Sequence, residues 1–228
     1  MLRKILLLCI LCALWGCEES TDKQCTSASL IWDKSELKLK SSCAGLDLAW
    51  TPEVKVDGQW LSGSKTAEGW SFSGIGTVSA QLAGSVLRSS FLASSPTDLE
   101  GARWVGRGSF AKANAFLSNG FQSWSQSGVV ELGMGVSESD LNAALSALGD
   151  EEVLRDGAAL SWWHSSVGSE EGASLVVGVT SVKHWHAWIR PYRSGPEDDS
   201  EINIELVSGG NGHLKKLGPG ESIAFEPW

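Results

Sequence analysis

The sequence lacks the excess of basic residues that proteins binding nucleic acid carry. It has 18 lysines and arginines against 27 aspartates and glutamates, which gives a formal net charge of −9 at pH 7. A surface of this sign repels phosphate groups. The composition therefore argues against nucleic acid as a partner, whereas neutral molecules such as sugars are compatible with it.

The sequence also lacks the short motifs that mark several enzyme classes. It contains no G-x-S-x-G elbow, no phosphate-binding loop and no dinucleotide fingerprint. It shows neither an eightfold alternation of strand and helix signals nor a repeat with a period of about 20 to 50 residues. No cofactor is therefore expected, and Glu131, Asp156 and Glu205 are catalytic candidates by residue type alone.

Apolar runs long enough to span a membrane are absent, but a shorter run lies near the amino terminus. Residues 5–14 are apolar and follow Arg3 and Lys4, which is the layout of a secretory signal. The run ends in Leu14-Trp15-Gly16-Cys17, which resembles a bacterial lipobox. The resemblance implies that residues 1–17 are a lipoprotein signal with a diacylated Cys17, and that the protein is anchored in the cell envelope, at the outer membrane or cell surface. Ordinary cleavage and release is the alternative.

Cysteine is scarce after this segment, where only Cys25 and Cys43 occur. Two thiols in an oxidising compartment usually pair. A bridge closing about 18 residues would stabilise the fold by roughly 3 kcal/mol in the chain-entropy model. We therefore expect a Cys25–Cys43 disulfide, and we do not expect a metal site from two isolated cysteines.

The remainder of the chain divides into a tether and one domain. Residues 18–29 are small and polar without a period, as in a flexible tether. From residue 30 to 228, short strand signals alternate with Gly-rich turns at a spacing of about ten residues, which favours an all-β antiparallel β-sandwich. Asp57-Gly58, between two strand-like runs, predicts a hairpin. Further strands are expected at residues 69–72, 77–82, 85–91 and 102–110.

One segment departs from this strand rhythm. Leu141, Ala144, Leu145 and Leu148 recur at helical spacing, and Gly149 follows as a C-terminal cap. We predict one short helix that packs on an edge or end of the sandwich, and a lid over a ligand is the alternative.

Two later segments alternate in a way that predicts strands. Residues 201–206 (Glu-Ile-Asn-Ile-Glu-Leu) predict a strand with one solvent-exposed face. In the Trp-rich residues 184–190, Trp185, Ala187 and Ile189 share one face, which we expect in the core. The other face is expected to be exposed or to line a site, and it carries His184, His186, Trp188 and Arg190. Trp188 is thus a candidate for stacking on carbohydrate.

Residues 119–125 combine a turn signal with two aromatic rings and several polar side chains. Asn119-Gly120 predicts a tight turn. If the following residues are extended, Gln122 and Trp124 lie side by side on one face, with Phe121 on the other. An amide next to a flat apolar ring suits a sugar, which has an apolar C–H face and a rim of hydroxyl groups. The alternative is that both aromatic residues belong to the core.

This segment carries a family resemblance. Residues 116–125 resemble the "NGWQSWS" segment in the amino-terminal β-sandwich of α-galactosidase-like enzymes, glycoside hydrolase family 36 and its relatives, with Phe121 where a Trp is usual. Residues 175–180 and 217–222 resemble strands that close the same domain. The resemblance implies a supersandwich-like fold, and it implies that Trp124 reaches into the sugar site of the barrel that follows.

The family also indicates where catalysis belongs. Both catalytic residues of the resembled enzymes are aspartates on barrel strands, and residues 225–228 lie about where the linker to that barrel would begin. We therefore expect a non-catalytic sandwich domain that contributes carbohydrate contacts through Asn119, Phe121, Gln122, Trp124 and Trp188. The alternatives are a stand-alone carbohydrate-binding lipoprotein and a structural or partner-binding lipoprotein with no sugar site.

Overall fold

The computed structural model describes residues 31–33, 36–42, 44–111, 113–118, 128–132, 161–168, 174–183, 185–193, 201–209 and 214–228. This part of the chain is all-β with antiparallel sheets, which confirms the predicted fold class and is consistent with a β-sandwich. The signal segment, the tether, the Cys25–Cys43 pair and the helix predicted before Gly149 lie outside the described residues. The described residues contain no helix that is long and apolar enough to cross a membrane.

Eighteen strands lie in the described part of the chain. In order they are β1 (Ile31–Asp33), β2 (Lys38–Ser41), β3 (Leu46–Val56), β4 (Gln59–Ser62), β5 (Ser64–Lys65), β6 (Trp70–Phe72), β7 (Gly76–Ala83), β8 (Val86–Ala93), β9 (Thr97–Phe110), β10 (Ala115–Ser118), β11 (Gly128–Glu131), β12 (Ser161–Trp162), β13 (His164–Gly168), β14 (Ser174–Gly178), β15 (Ala187–Arg193), β16 (Glu201–Gly209), β17 (Lys215–Leu217) and β18 (Ser222–Ala224).

The described strands form three sheets. The nine-stranded sheet has the order β1-β2-β3-β9-β16-β15-β12, with β4 paired to β3 and β17 paired to β9. The five-stranded sheet has the order β18-β8-β7-β6-β5, and the four-stranded sheet has the order β11-β10-β13-β14. The long strands β3 and β9 are neighbours at the centre of the largest sheet, where they align residues about fifty positions apart in sequence, such as Glu53 and Arg103.

The hairpin predicted at Asp57-Gly58 is confirmed. Val56 pairs with Gln59 across the turn, and both turn residues have positive φ angles, 50° for Asp57 and 73° for Gly58. A two-residue turn of this kind matches the twist of the strands that it joins. The strands expected at residues 69–72, 77–82, 85–91 and 102–110 are also present, as β6, β7, β8 and the second part of β9.

The main core lies between the nine-stranded and the five-stranded sheets. The Trp70 and Trp104 rings meet edge to face across this space, with their centroids 5.2 Å apart, and the Trp104 Nε1–H donates to Ser89 Oγ at 3.0 Å. The Trp50 indole packs directly on Gly106, where a Cβ would lie 2.9 Å from the ring. Fully burying side chains of this size contributes roughly 1.5 to 3 kcal/mol each.

The expectation of one solvent-exposed face for residues 201–206 is wrong. Glu201 is exposed, but every later residue of β16 is buried, including Asn203 and Glu205. The physical reason for Glu205 is that β16 lies between β9 and β15, which supply Arg103 and Arg190 as oppositely charged partners. An alternation of polar and apolar residues in a strand therefore does not identify a solvent-exposed face when the polar side chains have buried partners.

The faces predicted for residues 184–190 are partly right. Trp185, Ala187 and Ile189 are buried in the core, as expected. On the other face, which we expect to be exposed or to line a site, His186 is exposed, whereas Trp188 and Arg190 are both buried at 6% exposure. For these two residues only the lining of a site stays a prediction. His184 lies outside the described residues.

Candidate functional site

The face of the nine-stranded sheet that points away from the main core carries a group of ionisable side chains. We call Glu53, Arg103, Arg107, Arg190, Tyr192 and Glu205 the charge network. Strands β3, β9, β16 and β15 are consecutive neighbours, and alternate residues of a strand share a face. The register therefore brings residues from four strands to one place.

Glu53 forms one half of the network. Arg103 approaches its Oε2 through Nε at 2.7 Å and Nη2 at 2.6 Å, and the Arg107 Nη2 lies 2.9 Å from its Oε1. Burial by itself raises the pKa of the Glu53 carboxyl, but the Arg103 charge and the hydrogen bonds from Arg107 and Arg103 outweigh burial. The pKa of Glu53 is therefore held below its usual value, and the carboxylate stays ionised.

Glu205 forms the other half. The Arg190 Nε and Nη2 lie 2.7 Å and 2.6 Å from its Oε2, while the Arg103 Nη1 lies 3.2 Å from its Oε1. The Tyr192 hydroxyl donates to the same Oε1 at 3.1 Å. Burial, followed by the nearby Glu205 charge, raises the pKa of Tyr192 to about 12. Arg103 thus joins two buried carboxylates into one network.

An indole ring closes one side of the network. The Arg103 guanidinium lies over the Trp60 ring at 4.3 Å from its centroid, and the Lys55 Nζ lies 5.7 Å from the same ring. Cation–π contacts of this kind are worth about 0.5 to 2 kcal/mol, depending on desolvation. Trp60 therefore helps to fix the orientation of Arg103.

Next to the network, at the β12 edge of the sheet, aromatic residues gather. Trp162 pairs with Trp188, and the two rings meet edge to face at 5.5 Å, with the His186 ring 6.2 Å from Trp162. Trp163 and His164 follow directly and are exposed. We call Trp162, Trp163, His164, His186 and Trp188 the aromatic edge.

Trp163 has an unusual backbone conformation. Its φ angle is 69°, in the left-handed region that bulky residues rarely adopt, and 37% of the residue is exposed. It lies between β12 and β13, where the chain passes from the nine-stranded to the four-stranded sheet. Val179 N–H donates to the Trp163 carbonyl at 2.7 Å, which holds this conformation. Strained residues of this kind concentrate at binding and catalytic sites.

The predicted sugar-binding residues Asn119, Phe121, Gln122 and Trp124 lie outside the described residues, but the strands on each side of them are described. Strand β10 ends at Ser118, β11 begins at Gly128, and these two residues are paired. Residues 119–127 therefore connect two neighbouring antiparallel strands.

The register of β10 with β13 locates this connection relative to the aromatic edge. Phe116 pairs with Val167, and the Ser165 Oγ–H donates to the Leu117 carbonyl at 2.9 Å. Continuing the antiparallel register places Ser118 next to the beginning of β13. The chain thus leaves β10 beside His164 and Trp163, so the structure brings the flank of the predicted motif to the aromatic edge.

Trp188 is the predicted site residue whose surroundings are described. It belongs to the aromatic edge, but its ring is buried against Trp162, so it supports the edge rather than offering an open stacking surface. Its role in sugar binding stays a prediction.

Sequence reasoning did not select Trp163, although a signal was present. Trp162 and Trp163 are consecutive, and two neighbours on a strand point to opposite faces. The two indoles are therefore expected on opposite faces of the strand. Arg103 and Trp60 gave no comparable signal, because their partners are distant in sequence.

The described part of the chain offers no group of three or more His, Cys, Asp or Glu residues that could hold a metal ion. Of the carboxylates singled out by type, Glu205 is bound by Arg190, Arg103 and Tyr192. Glu131 is exposed at the end of β11, and Asp156 lies outside the described residues.

Comparisons of this chain with protein families, with curated proteins and with solved structures found no match.

Proposed function

We propose that this chain is a lipid-anchored protein of the bacterial cell envelope whose β-sandwich binds carbohydrate. Binding involves the aromatic edge together with Asn119, Phe121, Gln122 and Trp124. As in the sandwich of α-galactosidase-like enzymes, which the motif resembles, the domain contributes sugar contacts and no catalytic residue. α-Galactosides are the class of carbohydrate ligand that the resemblance favours.

The observation that carries the proposal is the position of the exposed Trp163 relative to strand β10. The chain enters residues 119–125 from Ser118, next to the β13 end where Trp163 and His164 are exposed. An exposed indole beside hydrogen-bonding side chains is the combination that sugar recognition requires, since the ring covers the C–H face and polar groups bind the hydroxyls.

The surroundings of the edge support a preformed site. Trp162 and Trp188 are buried against each other, and the next residue of β15 on that face, Arg190, is held by Glu205. A surface built on packed and ion-paired side chains loses little conformational entropy when a ligand binds.

A titration of the full-length chain carrying Cys17→Ser tests carbohydrate binding. Galactose, melibiose and larger α-galactosides are added while heat and Trp fluorescence are recorded. We expect saturable binding that weakens about tenfold, or about 1.4 kcal/mol, in Trp124→Ala and in Trp163→Ala. Leu92→Ala, an exposed position on the five-stranded sheet, is the matched control and should bind as the parent does.

Two results would overturn the binding proposal. If the folded chain gives no heat or fluorescence change with any glycan, the proposal of carbohydrate binding is contradicted. If the parent binds no glycan and Trp124→Ala has a much lower melting temperature, Trp124 is a core residue. That result would favour a structural or partner-binding role for the protein.

The anchor is tested independently. Mass spectrometry of the mature protein should show a diacylglyceryl group on Cys17, and Cys17→Ser should move the chain from the membrane fraction. An unmodified mature protein that begins at another residue would contradict the lipoprotein assignment.

A further inference from the structure

A cavity lies where the three sheets meet. Its volume is about 250 Å³. Leu39, Trp50 and Leu206 line it from the nine-stranded sheet, Leu87 from the five-stranded sheet, and Leu175 from the four-stranded sheet, while Trp228 completes the wall. None of the described residues that line it has a charged side chain. The side chains thus enclose a mainly apolar space, and none of the aromatic-edge residues lines it.

Two of the residues that line this cavity, Trp50 and Trp228, each carry a buried indole N–H. Trp50 and Trp228 are only 2% and 6% exposed, and within the part of the chain that the structure describes neither indole Nε1–H has an acceptor. Buried indole N–H groups usually find one. Leaving a buried donor unsatisfied costs about 1 to 3 kcal/mol. Because both donors belong to residues that line one cavity, a ligand with a hydrogen-bond acceptor is the kind that could satisfy them.

Both indoles are held in position by the surrounding fold. The Trp50 ring packs on the Gly106 backbone, where a Cβ would lie 2.9 Å from the ring atoms. The Trp228 backbone is paired with Leu87, since its N–H donates to the Leu87 carbonyl at 3.0 Å and its carbonyl accepts from the Leu87 N–H at 2.6 Å. The cavity is therefore preorganised, which lowers the entropic cost of binding.

We propose that this cavity binds a small neutral molecule with an apolar body and a hydrogen-bond acceptor, such as an ester or a ketone. The apolar lining favours the body of such a ligand, and the Trp50 and Trp228 N–H groups donate to its carbonyl oxygen. A pure hydrocarbon leaves both donors unsatisfied. A carboxylate pays the cost of burying a charge where no described lining residue is cationic.

The volume sets the size of the ligand. An apolar cavity of about 150 Å³ is enough to hold benzene, and drug-sized ligands occupy pockets of about 300 to 1,000 Å³. A space of about 250 Å³ falls between these limits. Substituted single-ring molecules and short esters are therefore the appropriate class.

The test uses three probes that share a ring and differ in their polar group: methyl benzoate, toluene and benzoate. The full-length chain carries Cys17→Ser, so that its own predicted acyl groups cannot compete. With the tryptophans labelled with ¹⁵N, each of the 12 indoles gives its own N–H signal in an NMR spectrum. The signals of Trp50 and Trp228 are assigned through Trp50→Phe and Trp228→Phe.

We expect methyl benzoate to shift the Trp50 and Trp228 signals with saturation, and to bind about tenfold more tightly than toluene, the factor for one hydrogen bond of about 1.4 kcal/mol. Benzoate should bind more weakly than the ester. Val177→Phe, which places a larger side chain at the cavity wall, should abolish the shifts. Leu92→Phe, which enlarges an exposed side chain that is not among the lining residues, is the matched control and should bind as the parent does.

Three results would overturn the proposal. They are the absence of a shift with any probe, equal affinities for toluene and methyl benzoate, and magnetisation transfer from water to both indole protons that persists at saturating ester. The last result would show that water satisfies the two donors. The first two results are read from the parent chain alone, so they do not depend on whether a substituted chain folds.

Discussion

Both faces of the nine-stranded sheet contain fully buried side chains, but these side chains have opposite chemistry. On the face toward the five-stranded sheet lie apolar side chains such as Leu48, Ile204 and Leu206. On the other face lies the charge network, in which Glu205 is only 2% exposed and Glu53 is 6% exposed. Burial alone therefore does not distinguish the two faces.

The difference lies in how each face tolerates change. Apolar contacts are non-directional, and each contributes a small part of a large sum. A buried ion pair depends on every member, because removing one leaves the other as an uncompensated charge. We expect the apolar face to lose stability gradually and the charge network to lose it abruptly.

Removal of the central carboxylate gives the largest expected effect. Glu205→Ala leaves Arg190 and Arg103 without their shared partner and should lower the free energy of unfolding by about 3 to 5 kcal/mol. Urea unfolding measures this change. Glu201→Ala, at an exposed position on the same strand, is the control and should stay within about 0.5 kcal/mol of the parent. Similar losses for both variants would show that the network does not stabilise the fold.

A smaller change is expected on the apolar face. Ile204→Val removes one methylene from a fully buried position next to Glu205 in the chain, and should cost about 0.5 to 1.5 kcal/mol in the same urea measurement. A cost equal to that of Glu205→Ala would contradict the contrast between the two faces, since both would then respond alike.

The smallest effect is spectroscopic. Tyr192 is the single tyrosine of the sequence, so the ultraviolet absorbance of tyrosinate reports this residue alone. Its pKa should be about 12 in the folded protein and about 10 in urea. The raised pKa favours the protonated hydroxyl in the folded state, so the stability that it contributes is complete below pH 10 and is lost as the pH rises toward 12.

Glu205→Gln sharpens this measurement, because it removes the negative charge that accepts the Tyr192 hydrogen bond while keeping the side-chain size. The pKa of Tyr192 should then fall toward its ordinary value. A titration that is the same in the folded parent, in this variant and in urea would contradict the contact between Tyr192 and Glu205.

Local features of the fold could be predicted from the sequence. Asp57-Gly58 specifies its hairpin because both residues accept a positive φ, and the strands near residues 77–82 and 102–110 follow from their own patterns. The predicted site could be approached only through its flanks, since Ser118 and Gly128 are described while residues 119–127 lie outside the described part.

The charge network and the cavity could not be predicted in the same way. Glu53 and Arg103 are 50 residues apart, and Arg190 reaches Glu205 only through the pairing of β15 with β16. Similarly, Trp50 and Trp228 line one cavity although they come from opposite ends of the domain. Which distant strands become neighbours is set by the packing of the whole chain.

The sequence by itself determined the all-β class, the antiparallel strands and the tight turn at Asp57-Gly58, because side-chain alternation and turn geometry act over a few neighbouring residues. Only the tertiary structure decided that the polar side of residues 201–206 is buried. The same alternation is compatible with water or with oppositely charged partners, and the partners come from strands β9 and β15, whose positions no local pattern encodes.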